Sequence, residues 1–568
     1  MKERAWSART RDLDIGKAQA KTFDLVIIGG GINGAGLARE AALRNLSFCM
    51  VDKNDFAFGT SSRSSKLAHG GLRYLSSYDF KLVRESVTER NWLRVHFPNL
   101  VRPLGFSFCS FEKGKDKPSK IIQSLLVYDL LSDWRTPFKN YRRTRFFRPT
   151  FFEEFEPAFA LEEPALGSLK IVGFYYDTNI DDARLTLETI KESLVCAQGT
   201  SVAINYAKVM GYLKDSRGRI HGIHVEDQLD SNGFEVRGKA VVACGGIWTD
   251  ELMQATEFGQ SKIFPTKGVH IVVPNERLGN RYAFGLRSLD DNRSFFVLRR
   301  GKVSVIGTTD TDYFKESANL DEPWCTKQDC DYLLHTVNRL FPHARLTYED
   351  IIGTYAGIRP LIKQEGATSA SAVSREHEIF ASPDGLVAIA GGKLTTFRQM
   401  AEELLFSLVQ RGHLPAFARP EFTKPGFSKR PYLVGITRAQ FDGLIAEKGL
   451  AAHASPEQLE YLHQQYGREG ITILDRIRTH PELGQPLLEG YPHCQAEIEF
   501  ILEYENAPRL IDILCRRTEA QWMIWHYKQA DLAQKVAEIM ARYYGWTPEK
   551  KRAEIDHYLS YVKKTIWF

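Results

Sequence analysis

One stretch constrains this chain more than any other: FDLVIIGGGINGAGLAREAALRNLSFCMVDK, residues 23–53. Its apolar run Leu25-Val26-Ile27-Ile28 reads as a buried strand of a parallel sheet. The run ends in Gly29-Gly30-Gly31-Ile32-Asn33-Gly34, and an Ala- and Leu-rich helical pattern follows. A second short strand, residues 47–51, ends at an acid, Asp52, about 20 residues past the glycines. Strand, glycine turn, helix, strand and acid make the dinucleotide fingerprint in its required order. Gly29 allows the turn, Gly31 lets a pyrophosphate approach the backbone, and Gly34 lets helix and strand pack closely. The N–H groups and macrodipole of the helix N-terminus favour the pyrophosphate, and Asp52 suits ribose hydroxyls. Which dinucleotide binds is not decided here.

At 568 residues the chain exceeds one ordinary core, which predicts two or three domains. With 43% hydrophobic and 26% charged residues it has the composition of a globular protein. No apolar run approaches the length needed to cross a bilayer. Residues 1–22 carry Lys2, Arg4, Arg9, Arg11, Lys17 and Lys21 against Glu3, Asp12 and Asp14, with no apolar stretch. They read as a mobile polar tail rather than a secretory signal. A net charge of +5 is too small for this length to imply nucleic acid. The eight cysteines show no CxxC pair and no metal-ligand spacing, so a reduced cytoplasmic compartment fits and no metal is expected.

Residues 56–80 are dense in Ser, Gly and basic side chains and read as a loop. A helix is predicted over 79–97, stopped by Pro98, and another over 121–134, followed by the basic run Arg135, Lys139, Arg142, Arg143, Arg145 and Arg148. Asp181-Asp182-Ala183-Arg184 opens a helix with acids at its positive end. Residues 201–213 and 220–227 alternate as a β-meander, and 239–243 reads as a buried strand running into Gly245-Gly246-Ile247-Trp248. Residues 263–312 look β-rich, and a helix is expected over 327–341. A third strand, 385–390, ends in Gly391-Gly392-Lys393-Leu394-Thr395-Thr396 before a long helix. Three strand–glycine–helix units so far apart imply a nucleotide domain built discontinuously. From about residue 411 strand signals fade, and patterns over 496–504, 507–517, 522–544 and 548–563 predict a separate α-helical domain.

The Ser-rich loop Thr60-Ser61-Ser62-Arg63-Ser64-Ser65-Lys66-Leu67-Ala68-His69-Gly70-Gly71-Leu72-Arg73-Tyr74-Leu75 closely resembles the corresponding loop of FAD-dependent glycerol-3-phosphate dehydrogenases. So do Asp181-Asp182-Ala183-Arg184, Pro265-Thr266-Lys267-Gly268-Val269-His270, Gly307-Thr308-Thr309-Asp310-Thr311, Gly357-Ile358-Arg359-Pro360-Leu361 and Gly391-Gly392-Lys393-Leu394-Thr395-Thr396, in the family's order. The likeness covers residues 23–410 and extends weakly into the helical region through Asp512-Ile513-Leu514-Cys515-Arg516-Arg517. It implies FAD, a fold of the D-amino-acid-oxidase type, and oxidation of sn-glycerol 3-phosphate to dihydroxyacetone phosphate with hydride passing to FAD N5. The fold class expected is α/β plus α+β in three parts: a Rossmann-like FAD domain (23–105, 170–255 and 350–410), a β-rich substrate or cap domain (106–169 and 256–349), and a C-terminal α-helical domain (411–568).

The residues suit that chemistry. Oxidising a phosphorylated secondary alcohol needs an anion clamp, a base and a hydride acceptor. Arg73 and Arg359, in Gly- or Pro-framed loops, offer guanidinium forks for phosphate. Either His270 or His69 could take the hydroxyl proton, and both stay open as the base. Lys393 is the candidate cation beside flavin and substrate oxygen, since a lysine at a helix N-terminus opposes the macrodipole. Tyr74 and Thr309 are assigned to substrate contact. The cofactor set is Gly29, Gly31, Gly34, Asp52, Ser62, Lys66, Gly391, Gly392, Lys393, Leu394 and Thr395.

The family often carries Gly-Pro-Trp after its second nucleotide strand; here Ile247 stands in the proline position. Oxygen-using members of the family carry an insertion between the Asp310 and Gly357 motifs, and this chain has about the uninserted length. The resemblance therefore implies a dehydrogenase passing electrons to ubiquinone or menaquinone, on the inner face of the cytoplasmic membrane. Residues 121–131, flanked by Lys113, Lys115, Lys117 and Lys120, are either an interfacial anchor for anionic lipid or a core helix with solvated ends. A homodimer is the oligomer considered. The alternatives are an FAD-dependent amine or amino-acid oxidase of the same superfamily, and a glycerol-3-phosphate oxidase using oxygen.

Overall fold

Apolar runs capped by glycine build the first sheet. The computed structural model describes residues 6–566 except 135, 259–260, 314–318 and 364–375, and the side chains of 76–77. Arg135 of the basic run and Lys2 and Arg4 of the N-terminal segment lie outside the described residues. The first sheet runs His377–Ala381, Val387–Gly391, Gly233–Ala243, Thr22–Ile28, Phe48–Val51, Val202–Ile204. All pairings are parallel except the first, and Ala207–Lys214 and Ile220–Asp227 fold back on Gly233–Ala243 as a meander. Leu25, Val26, Ile27 and Ile28 are buried on both faces, as a strand covered on both sides requires. Because three neighbours run parallel, the glycines after Ile28, Ala243 and Ala390 all end on one edge. That shared carboxyl edge is where such sheets bind ligands.

The second sheet has eleven strands and lies over that edge. Its path is Thr311–Asp312, Ile263–Pro274, Val303–Gly307, Ser294–Arg300, Ala283–Arg287, Arg102–Phe111, Gly167–Asn179, Leu67–Ala68, with Gly353–Ile362 joined to Ile263–Pro274. One face packs the helix Lys327–Leu340 through Val269, Ile271, Phe284, Val297, Leu333 and Val337. This corrects the expected boundaries. The sequence pattern puts Gly353–Ile362 and most of Gly167–Asn179 in the nucleotide domain, yet the first pairs over ten residues with Ile263–Pro274 and the second with Arg102–Phe111. A buried strand looks the same in either sheet, so local pattern assigns the element and not its partner.

The mobile tail is a second correction. Arg11–Ala20 is a helix, and Arg11 is buried, its guanidinium bonded to Asp227 at 2.9 Å and to the Asn205 carbonyl at 2.8 Å. Trp6 is buried too, donating from Nε1 to the Ala203 carbonyl at 3.2 Å. These partners lie about 200 residues away, out of reach of composition.

From residue 411 onward the described chain is helical, with Arg438–Glu447, Pro456–Tyr466, Gly470–Thr479, Gln495–Tyr504, Gln529–Tyr544 and Pro548–Thr565. The pattern over 522–544 is broken: Ala520–Met523 ends at an extended Ile524, and Gln529 Nε2 donates to the Ile524 carbonyl at 2.8 Å. Buried charges dock this domain. Arg517 holds Asp55 bidentately at 2.5 and 2.9 Å, Arg516 joins Asp55 at 2.5 Å and Asp512 at 2.7 Å, and Arg184 pairs with Glu505. Burial would raise the Asp55 carboxyl, but the two arginines outweigh it and hold it at about 2.

Candidate active site

Between the carboxyl edge of the first sheet and the second sheet lies a cavity of about 1360 Å³. At one end it is lined by Gly29, Gly31, Asp52, Ser61 and Trp248, at the other by His69, Arg73, Tyr74, His270, Arg359, Gly391, Gly392, Lys393, Leu394 and Thr395. Motifs spread over more than 360 residues therefore meet at one space. A Cβ on Gly31 would meet only Ser61 Oγ within 4 Å, so that position opens into the cavity. Gly34 does not line it: its missing Cβ would overlap the Gly29 carbonyl oxygen, which is the helix–strand packing role alone. Asp52 accepts from the Gly30 and Asn54 N–H groups at 2.7 and 2.9 Å. Burial lifts its carboxyl to about 6 in spite of those two bonds.

Two loops 326 residues apart are stitched at the other end. The His69 N–H donates to Thr395 Oγ1 at 3.1 Å, and that hydroxyl donates back to the His69 carbonyl at 3.2 Å. His69 Nδ1 accepts from the Gly71 N–H at 3.1 Å, so neutral His69 carries its proton on Nε2. Lys393 Nζ donates to Ser86 Oγ at 3.2 Å and stands 3.9 Å from the centre of the Tyr74 ring, whose hydroxyl accepts from Arg73 at 3.0 Å.

Arg359 is held across the strand Ile263–Pro274. Its guanidinium donates to Asp310 at 2.9 Å, Thr308 Oγ1 at 3.0 Å and the Thr309 carbonyl at 3.1 Å. A Cβ on Gly268 would collide with that guanidinium, which explains the glycine in its motif. His270, on the same strand, is 2% exposed. Its Nε2 lies 3.0 Å from Ser65 Oγ, its Nδ1 has no hydrogen-bond partner among the described residues, and its face stacks on Tyr355 at 4.6 Å and 13°. Burial, with the positive charges of Arg359 and Lys66, holds the imidazole well below its ordinary range, so it is neutral near pH 7.

Three assignments fail. Lys66 and Ser62 do not line the cavity. Lys66 is 3% exposed and points away, paired with Asp182 at 2.7 Å and Glu519 at 2.8 Å, while the Ser62 hydroxyl turns to the Gly59 carbonyl. A lysine in a serine loop looks like an anion ligand until its distant carboxylates are seen. Thr309 is buried with its hydroxyl taking the Val269 N–H at 3.1 Å; Thr308 and Asp310 face the cavity instead. The sequence pattern also left unassigned Ser65, Ser86 and Phe296, the last lining the cavity with its ring 6.5 Å from that of His69. Ser65, like Asp310, lies inside a quoted motif and so carried a signal; Ser86 and Phe296 carried none.

The model for FAD dependent oxidoreductases matches residues 24–398, and that for the C-terminal domain of alpha-glycerophosphate oxidase matches 428–551. A Mycobacterium bovis protein, glycerol-3-phosphate dehydrogenase 2, is 35% identical over 96% of this chain and 88% of its own length. The chain belongs to the FAD-dependent glycerol-3-phosphate dehydrogenase family. A Streptococcus pneumoniae relative named alpha-glycerophosphate oxidase is 30% identical over 97% of this chain and 98% of its own. The crystal structure of glycerol-3-phosphate dehydrogenase from Bacillus halodurans, complexed with FAD, superposes with a TM-score of 0.78 at 28% identity, covering 99% of this chain and 98% of that one. FAD is thus the cofactor, and the cavity fits it: the glycine turns Gly29–Gly31 and Gly391–Gly392 both line it, Asp52 with the first and Lys393 with the second. No described helix is long and apolar enough to cross a membrane.

Proposed function

We propose that the chain oxidises sn-glycerol 3-phosphate to dihydroxyacetone phosphate. The observation that carries this reading is the meeting of two arginines, a lysine and two histidines at the end of the cavity away from Asp52. Gly29, Gly31, Asp52, Gly391, Gly392, Leu394 and Thr395 are the residues that would hold FAD, with Gly34 packing behind them. Bound FAD supplies the acceptor for the C2 hydride and hands the electrons on to a quinone. Arg73 and Arg359 clamp the phosphate, Tyr74 flanks it, and Lys393 offsets negative charge developing on the C2 oxygen. His270 takes the proton through Ser65: as Ser65 Oγ accepts the C2 hydroxyl proton, it passes its own proton to the unprotonated Nε2 of neutral His270. His69, with its proton on Nε2, serves as a donor to substrate rather than as the base. The test is anaerobic addition of glycerol 3-phosphate to the yellow protein, which should bleach its visible absorbance. An amino-acid substrate would offer these cations a single carboxylate, one negative charge where a phosphate monoester brings up to two.

The quinone rather than oxygen as acceptor is supported by length. Alignment with the Streptococcus oxidase extends over 626 residues and that with the Mycobacterium dehydrogenase over 555. A surface supports membrane contact. The helix Pro118–Asp133 buries Ile121, Leu125 and Tyr128 but exposes Leu126 and Leu130 by more than half, with Trp134 beside them. Lys113, Lys115, Lys117, Lys120, Arg142 and Arg143 are exposed around it. Apolar side chains ringed by cations suit an anionic lipid surface. The protein should sediment with anionic vesicles at low salt and not with zwitterionic ones, and Leu126→Gln with Leu130→Gln should abolish this. Equal sedimentation of the double variant would rule the patch out.

A further inference from the structure

The turn after Arg517 brings the C-terminal domain against the back of His270. Glu519 has φ 55° and is 1% exposed, its carboxylate aimed inward. One oxygen pairs with Lys66 at 2.8 Å and the other with Arg300 of the cap sheet at 2.6 Å. Lys66 also pairs with Asp182 at 2.7 Å and donates to the Ser62 carbonyl at 3.0 Å. Lys66 has φ 54°, a left-handed conformation that only firm anchoring keeps, and it directly follows Ser65. The Ser65 hydroxyl is the group 3.0 Å from His270 Nε2. A second path reaches the face of the same ring. Trp522 is 3% exposed and packs on Tyr355 with centroids 5.5 Å apart, and Tyr355 stacks on His270 at 4.6 Å. A Cβ on Gly353 would stand 3.1 Å from Trp522 Cα, so the glycine admits this approach.

We propose that residues 519–522 are a positioning element for His270, Glu519 acting through Lys66 and Ser65, and Trp522 through Tyr355. The proposal rests on the reading of His270 as the base. Both constraints on the imidazole, the hydrogen bond at its edge and the ring on its face, are backed by C-terminal side chains. A buried ion cluster is weak evidence for stability, because desolvation offsets most of its Coulombic gain. What this one does is fix geometry: it ties the Ser-rich loop, the cap sheet and the C-terminal domain at one point. A proton acceptor must stay within hydrogen-bond reach, and a misplacement of about 1 Å is costly. No residue beyond Thr395 lines the cavity among the described residues, so the helical domain acts on it from behind.

Anaerobic stopped-flow reduction of the holoenzyme by glycerol 3-phosphate tests this. Ser65→Ala and Glu519→Gln should each slow flavin reduction roughly 10- to 100-fold, the usual range for supporting partners of a reactive group. Substrate affinity and FAD content should stay at wild-type levels, and Ser65→Thr, which keeps the hydroxyl, should retain the rate. The double variant Ser65→Ala/Glu519→Gln should be no slower than the slower single variant, because both act on one path. A wild-type rate in Ser65→Ala, or a double loss equal to the product of the single losses, overturns the proposal. Should Glu519→Gln not fold, Trp522→Leu and Tyr355→Leu run the same cycle on the second path: a double loss no greater than the larger single loss supports the proposal, and a multiplicative loss overturns it. Wild-type flavin that stays oxidised would instead overturn the substrate reading, and the positioning role with it.

Discussion

Arg359→Ala should lower kcat/KM for glycerol 3-phosphate by roughly a thousandfold, about 4 kcal/mol, while FAD stays bound. The guanidinium is already fixed by Asp310, Thr308 and the Thr309 carbonyl, so its charge needs no ordering when the phosphate arrives. Its removal has a second consequence. Asp310 faces the cavity and would lose the cation beside it, leaving a carboxylate to repel the phosphate dianion. The loss should therefore appear chiefly in KM. Arg359→Lys should recover only part of it, since a point charge cannot hold Asp310 and the two threonines at once. Arg359 lies on the cap sheet rather than in the nucleotide fingerprint, so the flavin spectrum of the oxidised protein should not change. Wild-type kinetics in Arg359→Ala would remove the phosphate clamp from the account.

His270→Asn should slow flavin reduction by about 10²- to 10⁴-fold, the range a general base contributes, with substrate affinity nearly unchanged. Asn is polar and no larger than His, so neither Tyr355 stacking space nor the Ser65 contact is overfilled. His69→Asn should do much less, because the Asn carbonyl can still accept the Gly71 N–H that His69 Nδ1 accepts now. Stopped-flow rates for the two variants separate the roles. The opposite ranking, with His69→Asn the slower, would make His69 the base and His270 a structural imidazole.

The parallel strands were legible because a strand buried on both faces must be continuously apolar and must end in glycine where a ligand meets its backbone. Leu25 to Gly34 and Gly385 to Thr395 both satisfy that rule. The cavity residues His69, Arg73, His270, Arg359 and Lys393 were legible as motif members, and the fold brings them together. Sheet membership was not legible. Gly353–Ile362 carries no mark that says its partner is Ile263–Pro274 rather than the strands of the first sheet. Lys66 misled for a related reason: its two carboxylates come from positions 182 and 519, and only folding shows that it is already neutralised. Thr309 and Thr308 differ by one residue, and in a stretch that leaves its strand at Gly307 no alternation tells which hydroxyl faces the cavity. Ser65 was hidden among the neighbouring serines of one loop.

The proposed function requires that this FAD site take a phosphorylated secondary alcohol. Anaerobic titration of the purified yellow protein with glycerol 3-phosphate tests it most directly. Glycerol 3-phosphate should bleach the visible flavin band stoichiometrically, less readily in the presence of competing inorganic phosphate, and neither glycerol nor amino acids at the same concentration should bleach it. A flavin that stays oxidised with glycerol 3-phosphate, or that is reduced equally by an amino acid, would contradict it.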